Sequence, residues 1–393
     1  MKILIVCQFY YPENFVISKI AESLLSYGHD VTVLTGKPNY GYGEIIPEYK
    51  NVKYEEINGV KVHRVNLYPR KKSRLSIIRN YLSFWSNSKK WVRNCKEKYD
   101  IVYSMSLSPI TILSAGNLYI KLHKVKHVVH CVDLWPESTL ITHAVKKDSL
   151  VYKILYKWSK SLYSKADKIL IGSPSFKTYF DKVLNLRTDH ISFVPQPSLI
   201  EDVNVETKDL GEGFNILYCG NLGIIQLINL IPESMKLVKD KNIKFHVIGM
   251  GPKTDELKSL IEKYSLQDTV IYHGPIPAKK AATYFKGADA LYISLKAEGY
   301  VGNTIPNKLM MSMVYGKPII GVVGGDAKEA IISSDGGVVA SEDPIEIAHA
   351  IEYVASLDEE TRKKLGVNNQ VYYKNNFSIA RVGELVNSAL EEF

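Results

Sequence analysis

Short, continuous apolar runs alternate with amphipathic segments along the whole 393-residue chain. Strands that are apolar on both faces and alternate with helices are typical of parallel sheets covered by helices on each side. We therefore predict an α/β protein with two doubly wound, Rossmann-like domains that face a cleft. The runs that we predict as strands are residues 2–7, 30–35, 100–105 and 127–133 in the first half, and 215–220, 245–249, 269–274, 290–294 and 317–323 in the second.

A stretch of different composition, residues 197–213, separates the two series of runs. It has little apolar periodicity and gathers acids and turn-forming residues, which is typical of a linker. We therefore predict an N-terminal domain over residues 1–196, a linker over 197–213 and a C-terminal domain over 214–376. The chain is long enough to give each domain its own core.

The four cysteines, Cys7, Cys95, Cys131 and Cys219, lie far apart and form no CxxC pair. Their spacing disfavours a zinc site or a disulfide framework, and a buried free thiol is expected for the three in apolar runs. No apolar run approaches the roughly 20 residues that span a bilayer. The apolar start of the chain is only about five residues long and is better explained as a buried strand than as a signal peptide. We predict a cytoplasmic protein without a metal site.

Positive charge is concentrated in the first half of the chain. Residues 1–198 hold 30 Lys and Arg against 15 Asp and Glu, a net charge of +15, whereas residues 199–393 hold 20 against 26, a net charge of −6. Residues 70–98 alone hold ten basic residues and one acid. This distribution favours a polyanion or an anionic membrane surface as the neighbour of the first half only.

Several familiar motifs are absent. The loop after the first strand, QFYYPENF, has no glycine and therefore no GxGxxG fingerprint, and the chain has no GxxxxGK[ST], HExxH or GxSxG motif. These absences disfavour nicotinamide oxidoreductases, P-loop enzymes, zincins and serine hydrolases.

The order of the remaining segments resembles the retaining glycosyltransferases of family 4, which have the two-domain GT-B fold. The resemblance is strongest to the branch that builds bacterial O-antigen and capsule repeats, which includes predicted fucosamine transferases. It covers essentially the whole chain. The matching segments are YYPENF (10–15), LSYGHDVTVLTGKPNYGYG (25–43), NGVKVHRV (58–65), DLWPES (133–138), ADKILIGSPSF (166–176), GNLG (220–223), VIGMGP (247–252), YHGPIP (272–277), TIPNKL (304–309) and GKPII (316–320).

Short motifs of the second half imply a nucleotide-sugar site. The turn at 220–223 leads from a strand into a predicted helix, so backbone N–H groups of residues 220–224 can face a phosphate; an ordinary turn is the alternative. Glycines permit close approach at 249 and 251, where the resemblance implies nucleoside contacts, and it implies a uracil edge at 274–276. The predicted donor-binding residues are Gly220, Asn221, Gly223, Gln226, Gly249, Gly251, Gly274, Pro275, Ile276, Glu298, Pro306, Asn307, Lys308 and Leu309.

Lys308 is the most specific feature of the second half. It lies just past Pro306, in the first turn of a helix predicted to run through Met313. Because the helix dipole disfavours a cation there, we predict that Lys308 contacts the donor diphosphate, with a solvated surface lysine as the alternative. It would stabilise charge on the departing nucleoside diphosphate, and the resemblance implies that this needs no bound metal.

Several positions depart from the family pattern. The family usually has an arginine and a lysine where this chain has Asn221 and Gln226, and a pair of glutamates where it has Asn303 and Met311. Glu298 is the nearby candidate substitute, in a different register.

The first half supplies the predicted acceptor site. Asp133 and Glu137 follow a strand, where a carboxylate could orient or deprotonate the acceptor hydroxyl or stabilise an oxocarbenium-like sugar; capping and solvation are the alternatives. With Lys308 they are the predicted catalytic residues. The family's usual histidine is Val132 here, and His130 lies two residues earlier on the same strand face. The predicted acceptor-binding residues are Glu13, Asn14, Tyr40, Tyr42 and His130.

Within the basic segment, Leu75, Ile78, Leu82 and Trp85 recur at helical spacing. Such a stripe is either core or an interfacial helix on anionic lipids. The absence of a recognised nucleic-acid module disfavours binding to nucleic acid. The resemblance favours lipid, because this branch uses acceptors linked to a lipid diphosphate in the inner leaflet.

We therefore predict a cytoplasmic, retaining, hexosyl-type glycosyltransferase, peripheral on the inner face of the cell membrane. It would use a UDP-sugar as donor, no cofactor, and a lipid-linked saccharide of O-antigen or capsule synthesis as acceptor. The fold implies that a last helix, 377–393, packs back on the first domain. The alternatives are a UDP-sugar 2-epimerase on the same architecture and an inactive homologue that serves as a scaffold.

Overall fold

The computed structural model describes residues 1–71, 73–141, 144–199 and 203–393. The chain forms two compact units, residues 1–199 together with 379–393, and residues 200–378. Lys72 of the basic segment and residues 200–202 of the predicted linker lie outside the described residues. The linker stretch from 203 to 210 is not free chain, because its apolar side chains at 203, 205 and 210 pack against the core of the second unit.

The elements of the first unit up to residue 199 are β1 Lys2–Val6, α1 Ile17–Ser26, β2 Asp30–Gly36, β3 Tyr54–Ile57, β4 Val60–Val65, α2 Arg74–Asn94, β5 Ile101–Ser106, α3 Leu113–His123, β6 Lys126–Cys131, α4 Glu137–Ile141, α5 Leu150–Tyr163, β7 Lys168–Ile171, α6 Phe176–Thr178 and β8 Ile191–Phe193. The following elements are β9 Phe214–Cys219, α7 Leu230–Met235, β10 Ile243–Ile248, α8 Thr254–Lys263, β11 Val270–Gly274, α9 Ala278–Gly287, β12 Ala290–Ser294, α10 Gly299–Gly302, α11 Asn307–Val314, β13 Ile319–Val322, α12 Gly325–Ser334, β14 Gly337–Val339, α13 Pro344–Ser356, α14 Glu359–Asn376 and α15 Ile379–Glu391.

Each unit is built on a largely parallel sheet, which confirms the predicted doubly wound α/β fold. The described strands have the order β3-β4-β2-β1-β5-β6-β7-β8 in the first unit and β11-β10-β9-β12-β13-β14 in the second. Strand β3 is antiparallel to β4, and the turn that joins them, Asn58-Gly59, has positive φ at both residues, as two-residue hairpin turns of type I′ require. The strand order reverses beside β1 and beside β9, where open α/β sheets leave a ligand crevice at the carboxyl ends of the strands.

The last helix, α15, belongs to the first unit. Its buried side chains Val382, Val386 and Leu390 share a core cluster with apolar residues of α1 and β1. At its polar side, the Nε2 atom of His29 lies 2.6 Å from the Oδ1 atom of Asn387. The chain therefore enters the second unit once and returns to close the core of the first.

The amphipathic helix α2 does not bury the stripe that its spacing indicates. Leu75, Ile78 and Leu82 are 58%, 53% and 47% exposed, so the core alternative for these side chains is wrong. The buried face of α2 is partly polar, because Asn80 can satisfy its amide inside the protein: it donates to the carbonyl of Tyr68 and accepts from Gln8. No helix of the described residues is both long and apolar enough to cross a membrane.

Candidate functional sites at the carboxyl edges of the two sheets

Four connections of the second unit meet at the carboxyl edge of its sheet. Gly220 follows β9, Gly249 follows β10, Gly274 ends β11, and Lys308 lies in the first turn of α11, beyond β12. The sheet reverses its order between β9 and β12, so this edge is the expected ligand crevice. The structure therefore brings together the central residues of the predicted donor site.

The glycines at this edge allow the protein's own loops to approach one another. A Cβ at Gly249, where φ is +138°, would lie 1.8 Å from the carbonyl oxygen of Gly220, and one at Gly251 would lie 2.3 Å from that of Leu222. The N–H of Gly249 also donates to the carbonyl of Gly274 at 2.9 Å. The sequence predicts that these glycines make room for a ligand. In the structure, glycine is required at these positions first of all because the backbones of neighbouring loops pack closely there.

Lys308 is held by a tyrosine rather than by an acid. Its Nζ atom donates to the hydroxyl of Tyr218 at 2.8 Å and lies 4.4 Å from the centre of that ring. The same hydroxyl donates to the carbonyl of Asn221 at 2.7 Å. Among the described residues, no carboxylate lies within 4 Å of this ammonium group. Tyr218 is a residue of this candidate site that is not evident from the sequence, since nothing but its place at a strand end marks it.

Burial sets the charge of this lysine. It lowers the pKa of Lys308 to about 8, while the nearby Cys219 thiol acts in the opposite direction. A cation that has lost hydration without gaining a carboxylate is stabilised by an incoming anion. Position 220 adjoins the ammonium group directly, because a Cβ there would lie 3.4 Å from Nζ. The arrangement suits a phosphate at the bend that follows β9.

The predicted helix after residue 223 is wrong. Residues Ile224–Gln226 form one 3₁₀ turn, and α7 begins only at Leu230. The N–H groups at 220 and 222 are occupied, because they donate to the carbonyls of Ile248 and Met250. Within the described part of the chain, the N–H groups at 221 and 223 have no protein acceptor. A phosphate cradle here therefore has fewer donors than predicted and no helix dipole behind it.

The four positions that lack the family's charges carry neutral side chains, and two of them, Asn221 and Gln226, lie at this bend. A Cβ at Gly223 would lie 2.1 Å from Oε1 of Gln226 and 2.7 Å from Nδ2 of Asn221, so the two amides converge over that glycine. The Nδ2 atom of Asn303 donates to the carbonyl of Gly299 at 2.7 Å. Met311 packs against a core cluster.

Other predicted donor residues differ in exposure. The Leu309 side chain is completely buried in the core, so its predicted ligand contact is wrong. Glu298 is exposed and forms an ion pair with Lys296 at 2.5 Å. Pro306 precedes α11 as its N-cap residue. Asn307 and Pro275 are exposed, whereas Ile276 packs partly against the core.

At the carboxyl edge of the first sheet, Glu13 fixes a loop. Its Oε1 atom accepts from the backbone N–H groups of Asn39 and Tyr40 at 2.6 and 2.5 Å. Burial raises the pKa of this carboxyl group, and the two backbone bonds oppose that effect. The Tyr40 ring packs edge-on against Phe9 and Phe15. Glu13 therefore holds in position the loop that contains Tyr40 and Tyr42.

Two predicted acceptor residues lie on the surface beside this anchor. Asn14 is exposed, and Tyr42 is 66% exposed. Gly41 and Gly43, on either side of that tyrosine, both have positive φ, which glycine adopts at no steric cost. The loop therefore presents Tyr42 to solvent.

Asp133 and Glu137 follow β6 and have different partners. Ser108 donates to Oδ2 of Asp133 at 3.3 Å, and burial raises the pKa of this carboxyl group despite the serine. Oε1 of Glu137 accepts from the hydroxyl of Tyr152 at 2.5 Å. Asp133 is thus held by Ser108, in the loop after β5, whereas Glu137 is tied to α5.

The predicted contact between His130 and the acceptor is wrong. This side chain is completely buried in β6. Its Nδ1 atom lies 2.7 Å from the hydroxyl of Tyr103 and its Nε2 atom 2.8 Å from the carbonyl of Val194. Burial lowers the pKa of His130 to about 4, so the ring is neutral at physiological pH, with Nε2 as the donor. The side chain points from its strand into the core and not toward the edge.

Within the described ranges, no group of three or more His, Cys, Asp or Glu side chains could hold a metal ion. The four cysteines are free thiols. Burial raises the pKa of Cys7 and Cys131 to about 12. These two thiols are therefore protonated and inert at neutral pH.

Comparison with known proteins divides the chain in the same way as its geometry. A glycosyl transferase 4-like domain matches residues 14–197, and a family described as glycosyl transferases group 1 matches residues 202–371. A "Probable glycosyltransferase WbjE" of Pseudomonas aeruginosa is 27% identical over 249 residues, which are 59% of this chain and 60% of that protein. A "Putative colanic acid biosynthesis glycosyl transferase WcaI" of Escherichia coli K12 is 23% identical, over 80% of this chain and 82% of its own length.

Among solved structures, HepE of Anabaena in complex with UDP and glucose superposes with a TM-score of 0.71 at 15% identity. The superposition covers all of both chains, and at this identity it bears on the fold alone. The architecture and the two family matches agree. The chain belongs to the glycosyltransferases of the GT-B fold, with a glycosyl transferase 4-like domain followed by a domain of glycosyl transferases group 1.

Proposed function

We propose that this protein transfers a hexose-type sugar from a UDP-sugar to a lipid-diphosphate-linked saccharide, with retention of configuration and without a metal or cofactor. The reaction would serve the synthesis of a bacterial surface polysaccharide such as O-antigen or capsule. The observation that carries the proposal is Lys308, a partly desolvated ammonium group without a carboxylate partner in the described residues. It lies at the crevice edge of the group 1 domain.

The chemistry of the donor half follows from that lysine. Glycosyl transfer leaves negative charge on the departing nucleoside diphosphate, and a preformed cation at that place stabilises the transition state. Lys308 is held by Tyr218 rather than neutralised by it, because a hydroxyl leaves the ammonium charge intact. The N–H groups at 221 and 223 would add donors to the same phosphate. The UDP in the HepE structure supports uridine as the nucleoside.

The acceptor half would be the first unit. Asp133, which burial makes a better base than an ordinary carboxylate, would orient or accept a proton from the acceptor hydroxyl. Tyr40 and Tyr42 would line the sugar, with Glu13 holding their loop. The relatives WbjE and WcaI support a polysaccharide acceptor, since both are named as glycosyltransferases and the name of WcaI includes colanic acid biosynthesis.

A membrane contact would hold the enzyme at its acceptor. The side chains of Leu75, Ile78 and Leu82 are exposed on α2, and the segment that contains them has ten basic residues. Exposed apolar side chains among cations are typical of helices that lie in an anionic lipid interface. We propose a cytoplasmic location, peripheral on the inner face of the cell membrane.

Transfer of labelled sugar tests the proposal. Purified protein would be incubated, in EDTA, with a panel of radiolabelled UDP-sugars and with lipid-diphosphate-linked saccharides extracted from a polysaccharide-producing bacterium. We expect label in the lipid fraction with wild type and little with Lys308→Ala. Conversion of a free UDP-sugar without transfer would favour a 2-epimerase. Absence of both transfer and nucleotide binding would favour an inactive scaffold.

A further inference from the structure

One arginine of the first unit has a guanidinium group that is not paired with a carboxylate of the described residues. Arg70 lies between β4 and α2, with its guanidinium carbon 5.1 Å from the ring centre of Tyr40 and 5.4 Å from that of Tyr81. Its Nη1 atom donates to the Tyr81 hydroxyl at 3.0 Å. Of the five N–H bonds of a guanidinium, that one has an acceptor among the described residues. None of their carboxylates lies within 4 Å.

A buried polar network fixes the backbone of this arginine. The N–H of Arg70 donates to Oδ1 of Asn39 at 2.8 Å, and Nδ2 of Asn80 reaches the same oxygen at 3.1 Å. The Nε2 atom of Gln8 donates in turn to Oδ1 of Asn80 at 2.6 Å. These three amide side chains are at most 1% exposed. Buried amides are costly unless they are hydrogen-bonded, and these bonds hold the loop that carries Arg70 in one position.

The network places Arg70 at the functional edge of the sheet. Gln8 follows β1 and Asn39 follows β2, and these are the central strands on one side of the order reversal. Burial is the main cause of the raised pKa of Tyr81, and the negative charge of Asp133 contributes to it. Asp133 therefore lies close enough to Tyr81, on whose ring Arg70 stacks, for its charge to act on that hydroxyl.

The surroundings of Arg70 combine cationic and apolar groups in an order that fits one ligand chemistry. A stacked guanidinium with a free fork is suited to bidentate binding of phosphate. Ile78 lies three residues before Tyr81 on α2, hence on the adjoining surface of that helix, and together with Leu75 and Leu82 it is exposed. A phosphate at the arginine would thus have an exposed apolar strip beside it.

We propose that Arg70 binds the diphosphate of an isoprenoid-diphosphate acceptor, and that Leu75, Ile78 and Leu82 contact the first part of its chain. This inference rests on the proposed function, which it deepens by assigning the acceptor's anionic group to a residue. A free diphosphate would use the arginine but not the strip. Arg70 would then contact the lipid carrier of the acceptor and not its sugar.

The test uses farnesyl diphosphate as a soluble probe, with farnesol and inorganic pyrophosphate as its two halves. Calorimetric titrations would compare the full chain with Arg70→Ala, Arg70→Lys and the matched control Arg79→Ala. Arg79, on α2, is likewise an arginine stacked on a tyrosine, 5.8 Å from the ring centre of Tyr68. We expect Arg70→Ala to weaken farnesyl diphosphate binding at least about tenfold and Arg79→Ala less than about twofold. Lysine at 70 should restore only part of the affinity, because it cannot stack or bind bidentately.

Equal losses in the Arg70 and Arg79 variants would refute the inference, since surface charge alone would then explain binding. Equal affinities for pyrophosphate and farnesyl diphosphate would refute the role of the apolar strip. Titration of UDP into the same variants separates this inference from the proposed function. If the variants still bind UDP and Arg70→Ala weakens farnesyl diphosphate binding no more than Arg79→Ala does, the inference alone is overturned. Wild type that binds no UDP would overturn the proposed donor site instead. Thermal unfolding checks that each variant is folded. If Arg70→Ala does not fold, the comparison with Arg79→Ala is made with Arg70→Lys instead.

Discussion

The charge on Lys308 should make nucleotide affinity fall as pH rises from 7 to 9. With a pKa of about 8, the lysine is about 90% protonated at pH 7 and about 10% protonated at pH 9. If only the ammonium form holds the phosphate, the apparent Kd for UDP rises about ninefold to tenfold over that range. The sign follows from the direction of the shift, because a lowered pKa brings the loss of charge into the accessible range.

Few other groups interfere in this window. Burial raises the pKa of Cys219 to about 11 and raises that of Tyr218 still further, so both remain neutral at pH 9. The last ionisation of a phosphate ester lies near pH 6, so the diphosphate is fully charged throughout. The uracil N3–H of UDP begins to ionise at the upper end of this range, and it does so alike for every variant. The difference in pH profile between wild type and a variant that keeps its charge therefore reports on the lysine.

Isothermal titration of UDP at half-unit intervals of pH gives the profile. Lys308→Arg is the matched control, because a guanidinium stays protonated up to about pH 12, and its affinity should change much less over the same range than that of wild type. A flat profile in wild type would refute the reasoning. An equal slope in wild type and in the arginine variant would do the same, because the titrating group would then lie elsewhere.

Three further changes have defined outcomes. Gly249→Ala forces a Cβ to within 1.8 Å of the Gly220 carbonyl oxygen; it should weaken UDP binding by about tenfold or more, as measured by titration, and wild-type affinity would contradict the packing account. His130→Ala removes both hydrogen bonds of a fully buried ring; denaturant unfolding should show a loss of about 2–4 kcal/mol with UDP affinity unchanged, whereas lost affinity in a folded variant would return His130 to the site. Ile78→Asp replaces an exposed apolar side chain; co-sedimentation with vesicles rich in anionic lipid should fall several-fold, and unchanged sedimentation would count against the membrane face.

The strands were the most predictable part of the fold. Each apolar run singled out in the sequence overlaps a strand of the structure, because a strand buried on both faces must be apolar throughout its length. The runs singled out do not include the strands β3, β4, β7, β8 and β14. Of these, β3 is hardest to recognise because it is partly or largely exposed and reads YEEI. Its existence depends on the Asn58-Gly59 turn, whose signal is local and easily passed over.

Helix α2 shows what pattern alone leaves open. Its apolar stripe has helical spacing, yet the side chains turned to the core include Ser76 and Asn80. Asn80 is buried because Gln8 and the Tyr68 carbonyl satisfy its amide, and neither partner is near it in sequence. Hydrogen-bond partners of this kind depend on tertiary structure, which periodicity does not contain.

The grouping of residues at the carboxyl edge of the second sheet was predictable from the sequence, whereas their local contacts were not. Lys308 lies at the crevice edge beside Gly220, as its motif indicates. Its anchor Tyr218 and its lowered pKa depend on burial between strands, which no spacing encodes. His130 was misplaced because strand alternation assigns a face and cannot tell a face at the edge from one in the core.

Nucleotide titration tests the central claim most directly. UDP and GDP would each be titrated into wild type and into Lys308→Ala at pH 7, with EDTA present throughout. We expect wild type to bind UDP with a micromolar Kd in the absence of metal and to prefer UDP to GDP. The affinity of the alanine variant for UDP should be lower by at least about tenfold. Failure of either nucleotide to bind, or equal UDP affinity in wild type and variant, would contradict a donor site built around Lys308.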